Sequence, residues 1–108
     1  MNKYEMLMKS LEETGSGKMK CFGNSMKPIL TNPSVCTYER REQYGVGDIV
    51  FCKVKGRYID AHIIVQKSDE RGYLIANNHG HQNGWTRKIF GKVISSTDKN
   101  GNPQYRAT

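Results

Sequence analysis

The 108-residue chain predicts a small, mostly β domain of the α+β class, a twisted antiparallel sheet preceded by one N-terminal helix. Three observations lead there. Helical periodicity is convincing only near the start of the chain, over residues 2–13. Every later apolar run is short, rich in β-branched and aromatic residues, and bounded by Gly, Asn or Pro. In the middle of the chain the gaps between those runs are too short for helical crossovers, so those strands are expected to form an antiparallel meander.

In the helix, Tyr4, Leu7, Met8 and Leu11 gather on one face, and Gly15 and Gly17 end it. Strands are expected at Lys18–Phe22, Val35–Glu39, Ile49–Val54, Tyr58–Val65, Tyr73–Ala76 and Lys88–Ser95. Lys55-Gly56-Arg57 is short enough to close a hairpin between the third and fourth of these, and Asp69–Gly72 supplies the next turn. No repeat or linker interrupts residues 1–96, which read as one domain. Residues 97–108 hold few apolar side chains and read as a flexible tail.

Hydrophobic residues make up 36 % of the chain, enough for one modest core. No apolar run approaches the roughly 20 residues of a membrane span, and the N-terminus has no apolar block of the secretory kind, so a cytoplasmic protein with no membrane partner is expected. Cys21, Cys36 and Cys52 are odd in number and widely spaced, which fits reduced strand cysteines and gives no support to a metal site with His62, His79 or His81. No cofactor motif is present. The net charge of +7 permits nucleic-acid binding, but the basic residues are scattered and form no recognition fingerprint.

The chemistry concentrates in Gly23-Asn24-Ser25-Met26-Lys27-Pro28. A serine hydroxyl attacks well only with a base in hydrogen-bond reach and donors for the oxyanion. Gly23 and Asn24 permit a turn that bares the Ser25 hydroxyl and aims backbone N–H groups outward, Met26 can anchor the loop inward, and Pro28 stiffens its exit. His62, on a predicted strand, is a base that works near neutral pH without burial. Asp60, two residues earlier on the same strand, shares its face if the strand is regular. The segment Ala76-Asn77-Asn78-His79-Gly80-His81-Gln82-Asn83-Gly84-Trp85 reads as a polar loop. Asn77, Asn78 or His79 are neutral candidates to orient His62, while His81 and Trp85 are candidate contacts for a bound segment.

The Gly-x-Ser-Met-x-Pro motif, followed by Gly45-Val46-Gly47-Asp48-Ile49-Val50-Phe51, resembles the serine motif and following strand of LexA-type repressor peptidases and type I signal peptidases. The resemblance spans roughly residues 18–95 and implies the catalytic-domain fold of that clan. It implies Ser25 as nucleophile and His62 as base, since His62 falls where the archaeal and endoplasmic-reticulum enzymes carry a histidine. It also implies an extended peptide substrate laid beside the site, with small residues next to the scissile bond. The chain departs from the histidine-type pattern by placing Ile63 where an arginine is usual and by lacking the Gly-Asp-Asn aspartate that orients the base. Two functions follow as expectations. One is a small serine endopeptidase, of a stand-alone form that fits a phage or mobile-element protein. The other is a peptidase-like scaffold whose chemistry has lapsed and which binds a protein segment or nucleic acid.

Overall fold

A computed structural model describes residues 1–108. Its element order is α1 (Lys3–Thr14), β1 (Ser16–Cys21), β2 (Ser34–Glu39), β3 (Ile49–Val54), β4 (Arg57–Ser68), β5 (Gly72–Ala76), β6 (Gln82–Thr86), β7 (Ile89–Thr97) and β8 (Pro103–Arg106). All strand pairs are antiparallel, in the order β1-β2-β7-β3-β4-β5-β6, with β8 added to β7. The mostly β architecture with one helix is as the sequence predicts. Two strands are not. β6 lies in the segment expected to be a loop, and β8 lies in the expected tail.

Helix α1 begins at Asn2, whose side chain accepts from the Glu5 N–H while the Glu5 carboxylate accepts from the Asn2 N–H, the reciprocal box that satisfies two orphan donors. It ends at Gly15, which closes the last turn in the left-handed conformation. Leu7 and Leu11 are fully buried, with Tyr4 and Met8 partly so, on the face the periodicity selects. Burying a leucine this completely stabilises by about 1.5–3 kcal/mol.

Strand β3 divides the interior. Ile49 and Phe51 point into a cluster with Leu7, Leu11, Tyr38 and Val93, while Val50, Cys52 and Val54 point into a second cluster with Tyr44, Ile64 and Ile75. A strand buried on both faces reads as a continuous apolar run, as Ile49–Cys52 does. The motif before it is structural. The Gly47 N–H donates to Ile64 O and the Ile64 N–H to Asp48 O, while the Asp48 carboxylate accepts from the Gly45 N–H and pairs with Lys92 at 3.2 Å. The cysteines are free and buried, and burial pushes the Cys52 thiol up to about 12, which leaves it unreactive.

Strand β4 positions the site through an irregularity. Val50 pairs with His62 and Cys52 with Ile59, so three steps of β4 oppose two of β3. The extra residue is a bulge, and it breaks side-chain alternation between Ile59 and His62. The Tyr38 hydroxyl donates to Asp60 O at 2.8 Å and pins the bulge from the core side. Beyond it the sheet curls until β6 reaches β3, where the Thr86 hydroxyl donates to Lys53 O at 2.6 Å.

The C-terminal segment is ordered by pairing. β3 pairs with β7 only from Ile89 to Lys92, and β8 takes up the same edge from Ser95 to Thr97. Gln104 fastens it, its Oε1 accepting from the Thr31 hydroxyl at 2.8 Å and its amide donating to the Ser96 hydroxyl at 3.0 Å. The expected tail is thus a paired strand, because backbone hydrogen bonding compensates for its poor apolar content.

Candidate active site

Ser25 lies in the loop between β1 and β2, and His62 lies at the end of the β4 bulge, 37 positions further on. Folding brings Ser25 Oγ within 3.0 Å of His62 Nε2. The other ring nitrogen, Nδ1, is 2.8 Å from Oδ1 of Asn83 on β6. An amide oxygen only accepts, so Nδ1 carries the ring proton and donates it to Asn83. Nε2 is then a bare acceptor, and the Ser25 hydroxyl donates to it. The three side chains form a directed chain from hydroxyl to imidazole to amide.

Burial holds the His62 imidazole below its ordinary value, since a half-buried ring loses solvation of its charged form. The Asn83 hydrogen bond and the negative charge of Asp60 oppose this, and His81 adds a small push in the same direction as burial. The result is a neutral imidazole at pH 7, the protonation state a general base requires.

The residues expected to orient His62 do other work. Asp60 lines the same cleft as Ser25 and His62 but pairs with Lys3 of the helix at 3.1 Å and makes no hydrogen bond to the ring, which it influences through its charge alone. Asn77 folds onto its own loop, its Oδ1 accepting from the His79 and His81 N–H groups. Asn78 donates its N–H to Ser25 O and its side-chain amide to Lys27 O, both at 2.9 Å. The His79 ring N–H donates from Nε2 to Asn24 O at 3.1 Å. Asn78 and His79 thus clamp the serine loop from outside, and none of the three loop residues hydrogen-bonds to His62. The orienting group is Asn83, which strand β6 carries into place. The stretch Gln82-Asn83-Gly84 offers three polar or small residues in a row and carries little β signal.

The loop bearing Ser25 has donors to spare. The Gly23 N–H is taken by Asn32 Oδ1 at 3.0 Å, which removes it as an oxyanion donor. The N–H groups of Asn24, Ser25 and Met26 donate to no acceptor of the chain. Met26 is 4 % exposed and anchors the loop in the first core cluster. The peptide bonds Lys27–Pro28 and Asn32–Pro33, both after Ser25 in the loop, are in the cis form. Trp85 is drawn away, its ring under the Arg71 guanidinium at 4.3 Å, whereas His81 stays near Asn83.

A cleft of about 390 Å³ opens beside Ser25 and His62, walled by Cys21, Met26, Leu30 and Ala61 below and by Tyr4 and Phe22 at its mouth. Its long side is the edge of β4. That strand pairs with β5 only from Ile63 onward, so from Arg57 to His62 the edge facing away from β3 has no partner strand. No group of acidic, histidine and cysteine side chains is arranged to hold a metal ion, and no helix is long and apolar enough to cross a membrane. Comparison with protein-family models, curated proteins and solved structures gives no match.

Proposed function

We propose that the protein is a small serine endopeptidase, working in the cytoplasm and built on the plan of the LexA and signal-peptidase clan, with Ser25, His62 and Asn83 as its catalytic string. The single observation that carries this is the 3.0 Å contact of Ser25 Oγ with the unprotonated Nε2 of a ring whose Nδ1–H is fixed by Asn83. A positioned, neutral imidazole is what a serine hydroxyl needs to become a nucleophile.

An extended peptide adds as a strand to the free edge of β4, where main-chain hydrogen bonds give affinity and the 390 Å³ cleft selects a side chain. Ser25 Oγ attacks the carbonyl carbon as its proton passes to His62 Nε2. The carbonyl oxygen, now an anion, is met by the free N–H groups of the Ser25 loop. His62 returns the proton to the departing amine, the C–N bond breaks and an acyl-serine remains. Water, deprotonated by His62, then attacks the ester and releases Ser25.

Asn83 is the observation behind a second reading, an inactive scaffold that only binds extended segments. A neutral amide steers the ring but does not stabilise imidazolium, and in a serine-protease triad the change from Asp to Asn costs about four orders of magnitude. Cysteine peptidases do use asparagine in this place. A fluorophosphonate probe separates the two readings. Ser25 should be labelled and identified by peptide mapping, and His62→Ala should abolish labelling. Absence of labelling between pH 6 and 9 overturns the peptidase and leaves the binding module.

A further inference from the structure

A second cavity, of about 310 Å³, lies against the same stretch of β4. Both cavities are lined by Tyr58 and Ile59, but they border different cores. The first is walled by Met26 and Ala61 of the helix-side cluster, and the second by Val54 of the other cluster. The two therefore open on opposite faces of the unpaired β4 edge.

The second cavity is basic. Lys55, Arg57 and His81 line it, and no carboxylate does. The ion pairs of the chain join Lys3 to Asp60, Lys9 to Glu13, Arg41 to Glu39 and Lys92 to Asp48, so neither Lys55 nor Arg57 has an acidic partner. Their placement is built in. Lys55 and Gly56 both have positive φ, 51° and 80°, the requirement of a tight hairpin that sets Lys55 at the tip of β3 and Arg57 at the start of β4. A Cβ at Gly84 would stand 3.2 Å from Lys55 Cε and 3.5 Å from its Nζ. Glycine there leaves room for the lysine to fold across β6, beside Asn83.

We infer that this cavity is a subsite for an acidic side chain of the bound peptide, on the face opposite to the residue held beside Ser25. The inference deepens the proposed function and rests on its peptide-binding part, the addition of a strand to β4. Successive side chains of such a strand alternate between the two faces. A small residue in the Ser25 cleft therefore sends the residues one and three positions away towards Lys55, Arg57 and His81. Three cationic or cationisable groups without a partner favour a carboxylate there, and charge-assisted hydrogen bonds to it are the strong kind.

Fluorescent nonapeptides binding to the Ser25→Ala protein, in which turnover is blocked, test this. All carry a central Ala in a Ser background. One has Glu one and three positions from the Ala on both sides, a second has Glu two and four positions away, and a third has Gln in place of the first set. The first peptide should bind at least 10-fold more tightly than the third and at least 5-fold more tightly than the second, which has the same net charge. The advantage should vanish in Lys55→Glu/Arg57→Glu and survive in part in Arg57→Gln, whose exposed hairpin position tolerates the change; a thermal melt checks that each variant is folded. Equal binding of the first two peptides, no detectable binding of the first, or an unchanged preference in the charge-reversed variants overturns the subsite. So does tighter binding of an oligodeoxythymidine that the same reversal abolishes. Ser25 labelling of the unmutated protein reports on catalysis independently. Labelling without charge preference removes the subsite and keeps the peptidase, and charge preference without labelling does the reverse.

Discussion

His62 and His79 both hydrogen-bond to the serine loop, yet only one of them meets the Ser25 hydroxyl. His79 sits in an exposed turn and donates from Nε2 to a backbone carbonyl, that of Asn24. His62 sits on a strand, half-buried, and accepts at Nε2 from the Ser25 hydroxyl while Asn83 holds the other side of its ring. The neighbouring asparagines divide in the same way. Asn77 and Asn78 satisfy loop backbone, whereas Asn83 projects from β6 into the site. Polar side chains in turns are consumed by the nearest unpaired backbone groups. On a strand the ladder satisfies the backbone, so the side chain is free to be aimed elsewhere.

The largest expected effect tests that contrast directly. His62→Gln should slow fluorophosphonate labelling of Ser25 by about 1,000-fold or more, the range in which loss of a general base falls. His79→Gln should slow it by less than about 5-fold, since it loosens the loop without removing the base. Equal losses would mean that the integrity of the serine loop, rather than a base at His62, governs reactivity.

Asn83 gives the next largest. Asn83→Asp places a carboxylate on Nδ1, stabilises imidazolium and should raise the labelling rate by at least about 10-fold, a fraction of what a carboxylate contributes in the serine-protease triad. Asn83→Leu should lower it by about 10- to 100-fold by freeing the ring. A rate indifferent to both substitutions would remove Asn83 from the site.

The pH dependence follows from the depressed imidazole. A group whose value is lowered stays neutral, and so usable as a base, down to a pH below 6.5. Labelling should level off towards alkaline pH and fall on acidification through a midpoint below 6.5. In Asn83→Asp the midpoint should move upward, because the carboxylate favours the protonated ring. A wild-type midpoint above 6.5 would mean that burial does not govern the ring. Smallest of all, Asn78→Ala removes one side-chain hydrogen bond to Lys27 O and should cost about 1 kcal/mol in urea unfolding, with the nucleophile's base unaffected. A loss of labelling comparable with that of His62→Gln would show that the clamp, not the base, limits reactivity.

Much of the fold was legible because its signals are local. The helix face of Leu7 and Leu11, the doubly buried Ile49–Val54 and the Lys55-Gly56 hairpin each follow from residues close in the chain. β6 and β8 were not legible, since Gln82-Asn83-Gly84 and Pro103-Gln104 have no apolar alternation and become strands only by completing the edges of β5 and β7. The site divided along the same line. Ser25 and His62 stood out by residue type and motif, whereas Asp60 was a reasonable partner for His62 only on a regular strand.

By itself, then, the sequence determined the class of fold, the loop that offers a hydroxyl and the strand that carries an imidazole. Those depend on side-chain pattern and turn chemistry over a few residues. The tertiary structure alone decided that Asp60 pairs with Lys3 rather than with His62, that Asn83 holds the ring instead and that Lys55 and Arg57 stand without counter-charges. A single extra residue in β4 and the curl of β6 onto β3 produce the first two of these outcomes. Register and curvature are settled by how whole sheets close on their cores, and no short stretch of chain encodes them.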